Sequence, residues 1–103
     1  MIFVGIGKHT PAQCPGHVRE LFQEVASGMP QLPALAEKNG VQIVGLYSMM
    51  ASHTMVAIMD APDPESVEML LYDAGLLSWN SFDISRAQPP EEAMKLAAQR
   101  FGL

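Results

Sequence analysis

The chain has 103 residues, of which 49% are hydrophobic and only 17% are charged, and its formal net charge is −5. Its six basic residues are scattered, so the sequence offers no basic patch of the kind that binds nucleic-acid phosphates or an anionic membrane surface. No apolar run reaches the ~20 residues of a membrane-spanning helix, no signal peptide is recognisable, and one cysteine excludes an internal disulfide, which together predict a cytoplasmic protein.

The first half of the chain is predicted to form a strand, a loop and an interrupted helix. Residues 2–8 combine β-branched and aromatic side chains with two glycines, which is typical of a strand. Two prolines punctuate the loop at 9–16. Apolar residues at three- and four-residue spacing predict helix over 17–39, and Pro30 and Pro33 predict a break within it.

The second half is predicted to contain a hairpin, a helix, a strand and a terminal helix. The β-rich segments 41–49 and 53–60 lie close enough in sequence to form the hairpin. The apolar stripe over 64–74 predicts a helix, which starts at an aspartate followed by a proline. A fourth strand is predicted over 79–87, and a proline pair then separates it from a helix over 91–101.

This β-α-β-β-α-β order, followed by a C-terminal helix, predicts one ferredoxin-like α+β domain over residues 1–103. Its strands would run in the order 4-1-3-2, with both crossover helices on one face. The strand at 53–60 is apolar on both of its sides, so both faces of the sheet are expected to be covered. Helices cover one face, and a second copy of the chain is predicted to cover the other. We therefore expect a homodimer.

The element order, the two-sided apolar strands and the length resemble the dimeric α+β barrel superfamily over residues 2–88. That group includes antibiotic-biosynthesis monooxygenases, muconolactone isomerases and stress-responsive barrel proteins. The resemblance implies two facing sheets that enclose a cavity. Because the superfamily hosts oxygenation, isomerisation and proteins of no known activity, it does not choose a reaction.

Two histidines mark the candidate site. His9 follows the first strand and His53 begins the third, and antiparallel pairing would bring them to the same end of the sheet. Asn80, at the start of the fourth strand, would lie beside them. Gly5 and Gly7 share the face of His9 and are expected to leave room for a small-molecule cavity. His9, His53 and Asn80 are therefore the candidate catalytic residues.

The single cysteine extends this group toward metal binding. Cys14 follows His9 by five residues, and a helix start near residue 14 would favour its thiolate. Imidazole and thiolate suit zinc or copper, so His9, Cys14 and His53 are the candidate metal ligands. His17 and the eight methionines have no predicted role beyond proximity and core packing.

Two functions fit these residues. In the first, the dimer cavity holds a metal or a small molecule for oxygenase- or isomerase-type chemistry, with one imidazole moving protons and Asn80 orienting an oxygen. In the second, the same cavity belongs to a non-catalytic ligand-binding or sensor domain. A histidine at a strand end that bonds only to the backbone, and a cysteine that is only packed, are the structural alternatives.

Overall fold

Four strands form a single antiparallel sheet in the computed structural model, which describes residues 1–103. The strands are β1 (Ile2–Lys8), β2 (Gln42–Met49), β3 (Thr54–Asp60) and β4 (Ser81–Ala87). Their order across the sheet is β2-β3-β1-β4, which from the β4 edge is 4-1-3-2. The predicted α+β class is confirmed.

Four α-helices connect and follow these strands: α1 (Arg19–Gly28), α2 (Leu32–Lys38), α3 (Pro64–Asp73) and α4 (Pro90–Arg100). None of them has the length and apolarity needed to cross a membrane.

The predicted break in the first helical segment is confirmed. A 3-10 turn at Met29–Gln31 separates α1 from α2 and contains Pro30. Pro33 lies in the first turn of α2, where its missing N–H removes no helical hydrogen bond. Another 3-10 turn, Leu76–Ser78, precedes β4, which therefore begins at Ser81 rather than at the predicted residue 79.

The start of α3 is fixed by its capping residue. The side chain of Asp63 accepts hydrogen bonds from the Ser66 hydroxyl at 2.7 Å and from the Ser66 backbone N–H at 2.8 Å. Both hydrogen bonds lower the pKa of Asp63 because they favour the carboxylate, and the bond from the Ser66 hydroxyl has the larger effect. The cap anchors the helix that contributes Val67, Leu70 and Leu71 to the core.

The hydrophobic core lies between one face of the sheet and the helices. Phe3, Met55 and Met59 point from the sheet into the cluster that also contains the buried residues of α3. The opposite side of the sheet has no helix against it, and we call it the open face. Its apolar residues include Ile2, Val4, Ile6, Tyr47, Val56 and Ile58.

The space beside Gly5 and Gly7 is filled, which corrects the prediction of an empty cavity there. Phe82 pairs with Gly7 across β1 and β4, and its ring lies over both glycines. A Cβ added at Gly7 would lie 2.6 Å from Phe82 Cζ, and one added at Gly5 would lie 3.3 Å from Phe82 Cδ1. The glycines therefore admit an aromatic ring of the same chain rather than a ligand.

A Gly7→Ala substitution is expected to destabilise the fold by about 1–3 kcal/mol, because the ring of Phe82 would have to move within a packed core. Gly5→Ala should have a smaller effect, since its contact with the ring is looser. Urea denaturation measures both free energies of unfolding. Adding Phe82→Leu should recover part of the loss in Gly7→Ala, and the absence of any such coupling would contradict the packing described here.

Candidate metal centre

Strand pairing brings His9 and His53 to the same end of the sheet. Lys8, the last residue of β1, pairs with Thr54 of β3 and with Ser81 of β4. One residue further on, the backbone N–H of His9 donates a hydrogen bond to the carbonyl oxygen of His53 at 3.2 Å. The centroids of the two imidazole rings are 5.4 Å apart, with their planes at 80°. The predicted proximity of the two histidines is confirmed.

The backbone at His53 adopts a left-handed conformation. The hairpin between β2 and β3 turns so that the N–H of His53 donates to the carbonyl oxygen of Met50 at 3.3 Å, and φ of His53 is +51°. This region costs a residue with a Cβ about 1–2 kcal/mol, and a glycine would avoid that cost. The hairpin thus accommodates an imidazole at a position where backbone preference favours glycine.

Asn80 determines which nitrogen of His9 carries the proton. The Nδ2 group of Asn80 donates to the carbonyl oxygen of Leu76 at 3.1 Å, so its Oδ1 must face the opposite direction. That oxygen lies 2.9 Å from His9 Nδ1 and can only accept, so His9 Nδ1 donates. The lone pair of the neutral imidazole is therefore on Nε2. An oriented histidine whose second nitrogen donates to an oxygen is typical of metal-binding sites.

Asn80 therefore positions His9, and its predicted role in orienting a substrate oxygen stays a prediction. The side chain is buried, and both its amide nitrogen and its carbonyl oxygen have partners within the protein. Trp79, the preceding residue, supports the same ring from another direction, with a centroid separation of 4.8 Å and an edge-on geometry. The only signal for Trp79 in the sequence is that it adjoins Asn80.

Cys14 lies on a loop that curves around its sulfur. Its carbonyl oxygen accepts from the N–H groups of His17 and Val18, both at 2.9 Å, and the Gly16 N–H approaches its Sγ at 3.3 Å. Because α1 begins only at Arg19, Cys14 is not in the first turn of that helix, contrary to the prediction. The amide of Gly16, rather than the N-terminus of α1, is the donor that contacts the sulfur.

The three predicted ligands form one cluster. Cys14 Sγ and one nitrogen of each of His9 and His53 all lie within 4.8 Å of one another. His17 is close but exposed and outside this group, with its ring centroid 5.7 Å from that of His53. His9 Nε2 and His53 Nδ1 are buried and have no hydrogen-bond partner. The cluster thus contains two imidazole nitrogens without a partner, beside a thiol whose sulfur accepts one contact from the Gly16 N–H. Imidazole and thiolate are ligands that suit a transition metal.

A cleft of about 420 Å³ opens beside the cluster. It lies between α1, the sheet and the β2–β3 hairpin, and its apolar walls include Phe22, Val25, Leu46, Met50 and Met55. No carboxylate and no lysine or arginine lines it. The cleft lies within one chain, on the helix-covered side of the sheet, and the predicted cavity between the facing sheets of two chains stays a prediction.

No protein-family model matches the chain, and no curated protein matches it. Among solved structures, the chain is similar to a crystal structure provisionally described as a transposase from Deinococcus radiodurans R1. The TM-score is 0.51 and the sequence identity is 16%, over 97% of this chain and 88% of that one. At this identity the similarity concerns the fold alone.

Proposed function

We propose that this protein binds one transition-metal ion through His9 Nε2, His53 Nδ1 and Cys14 Sγ. The observation that carries the proposal is the pair of buried imidazole nitrogens without partners, which share a space with the only thiol of the chain. A buried polar atom without a partner costs about 1–3 kcal/mol, and here two such atoms lie side by side. Coordination of one ion by both nitrogens would remove both costs.

The donor set suits zinc and copper. Zinc bonds of about 2.0–2.3 Å place tetrahedral ligand atoms roughly 3.3–3.7 Å apart. The three donor atoms lie within 4.8 Å of one another, so a modest contraction of the cluster would complete the site. Three protein ligands leave a fourth position for water or a substrate, as in catalytic zinc sites. Copper also binds two histidines and a cysteine, and the thioethers of Met50 and Met55 in the cleft wall are compatible with that choice.

Because the cleft is apolar, we expect a small, largely apolar molecule to occupy the fourth coordination position of the metal. A bound zinc ion would act as a Lewis acid toward a carbonyl or a water, which suits isomerisation, whereas oxygenation needs a redox-active metal or a reactive substrate. In either reaction Asn80 keeps the lone pair of His9 directed at the cluster, and the walls exclude water. His17 is the one imidazole left free to move a proton.

A non-catalytic ligand-binding or sensor domain is the second candidate, and one observation favours it. The cleft contains no carboxylate, so acid–base chemistry would depend on His17, which is exposed. A domain that only senses a metal needs the three ligands and nothing more.

We further propose a ferredoxin-like fold that forms a homodimer through the open face. The strand order and the exposed apolar side chains of that face support it. The net charge of −5 and the scattered basic residues argue against nucleic acid as a partner, so the transposase similarity extends to the fold and not to DNA binding.

Calorimetric titration with zinc tests the metal site. The parent chain is expected to bind one ion, and Cys14→Ser and His9→Ala should each weaken binding by more than the roughly 10–100-fold that outer-shell changes cause. His17→Ala is the matched control, since His17 lies outside the three-residue group, and it should leave the affinity unchanged. Circular dichroism checks that each variant is folded.

Two outcomes would contradict the proposal. One is a parent chain that binds neither zinc nor copper, with copper followed through the visible absorption of a copper–thiolate bond. The other is a His17→Ala variant that loses as much affinity as Cys14→Ser, which would mean that the ligand set is wrong.

Asn80→Ala is expected to lower the zinc affinity by about 10–100-fold while all three ligands remain. The reason is that His9 Nδ1 would lose its acceptor and Nε2 would no longer be held as the free donor. Asn80→Asp retains an acceptor oxygen and should lose less. Equal affinities for Asn80→Ala and the parent would show that Asn80 does not position His9.

A further inference from the structure

The C-terminal helix α4 is amphipathic but buries none of its residues. Met94, Ala97, Ala98 and Phe101 recur at the spacing of one helical stripe, and the two large side chains are 70% and 78% exposed. Such a stripe ordinarily packs against a partner surface. The stripe therefore needs a covering surface that its own chain does not provide.

Helix α4 begins at the end of the sheet that lies away from the metal cluster. Ala87, the last residue of β4, pairs with Ile2, so α4 leaves from the end of the sheet opposite His9. Near that departure point, Arg86 and Glu92 approach to 3.9 Å, both about half exposed. Changes in the distal half of α4 can thus be made without touching the proposed ligands.

The size of the exposed surface indicates that a partner is missing. The chain exposes 6966 Å², whereas a compact chain of 11.2 kDa exposes about 5,700 Å². Its radius of gyration is 15.9 Å, against about 13 Å for a compact domain of this length. The excess of about 1,300 Å² exceeds the roughly 800 Å² that each partner buries in a standard interface.

We propose that α4 is an exchange arm: its Met94–Phe101 stripe packs on the open face of a second copy of the chain, and the second copy's arm packs reciprocally. This rests on the proposed homodimer and adds the segment that holds it together. The chain itself supplies both an apolar helix stripe and an apolar sheet face, so a twofold arrangement covers both at once.

The charges on α4 and on the open face also favour a second copy of the chain as the partner of α4. Lys95 and Arg100 are the basic residues of α4 and lie at the flanks of its apolar stripe, whereas the chain as a whole carries a net charge of −5. On the open face, Asp83 pairs with Ile6 and is exposed. Lys8, at the end of β1, is an exposed basic residue of the same face. A second copy therefore offers an apolar surface with a local carboxylate at Asp83 to a helix whose distal half is basic and apolar.

Sedimentation equilibrium on the full chain tests the arm. Met94→Glu and Phe101→Glu are each expected to weaken the dimer at least about tenfold, because each places a charge in an apolar contact. Gln99→Glu is the matched control: it adds the same charge to α4 on the side away from the stripe and should leave the dimer constant unchanged. A disulfide between chains gives a direct readout. In a Cys14→Ser background, a mixture of Phe101→Cys and Ile58→Cys chains should form a covalent heterodimer.

The outcomes separate the arm from the dimer. A parent chain that is monomeric at micromolar concentration would overturn both proposals. A dimeric parent that Met94→Glu and Phe101→Glu leave intact would overturn the arm alone, as would a Gln99→Glu variant that dissociates equally. Zinc affinity should be the same in the parent chain and in Met94→Glu, Phe101→Glu and Gln99→Glu, which all retain Cys14, so failure of the metal site would be seen separately.

Discussion

Met59→Asp is expected to abolish the cooperative folding of this chain. Met59 lies on β3 at the centre of the core and is 1% exposed, with the buried side chains of α3 against it. An unpaired carboxylate in such a position costs several kcal/mol, a large share of the roughly 5–15 kcal/mol that stabilises a small domain. Circular dichroism against urea concentration should show no native baseline, or a midpoint shifted far toward zero.

The adjacent residue provides the matched control, because side chains alternate between the two faces of a strand. Ile58 pairs with Val4 and Gly45 on the open face, so Ile58→Asp should leave the domain folded and dissociate the proposed dimer. If Met59→Asp folded as well as Ile58→Asp, the assignment of the two faces would be wrong. If Ile58→Asp remained dimeric, the open face would not be the interface.

The elements of the fold could be predicted because their signals are local. Proline positions specified the break between α1 and α2, and the aspartate–proline pair specified the start of α3. The start of β4 could not be placed, because Trp79 has strong β propensity but follows a 3-10 turn that tertiary packing stabilises. Alternation along β1 and β3 was sufficient to bring His9 and His53 together.

The surroundings of the site depended on contacts between distant segments, which periodicity does not encode. Nothing in the spacing of Gly5 and Gly7 shows that Phe82 fills the space above them. The sequence also does not show whether helices or a second sheet cover the face of the sheet that carries His9 and His53, because both faces of β3 are apolar. As a result the cavity was expected between two chains, whereas the cleft lies within one.

The second large effect is expected at His53, where the ligand and the backbone conformation can be tested separately. His53→Gly and His53→Ala both remove the imidazole, so both should weaken zinc binding by more than the roughly 10–100-fold typical of outer-shell changes. The two variants should differ in stability. At φ of +51° the left-handed backbone conformation is unfavourable for alanine, which has a Cβ, and not for glycine. The free energy of unfolding of the glycine variant should therefore be higher by about 1 kcal/mol.

Calorimetric zinc titration and urea denaturation of the two variants measure these effects independently. Loss of zinc binding in both variants, together with the stability difference, would mean that His53 is kept in an unfavourable conformation for its side chain. Equal stabilities would argue against the left-handed turn, and retained zinc binding would remove His53 from the ligand set. In the expected case, a position suited to glycine holds an imidazole because its Nδ1 is needed beside His9 and Cys14.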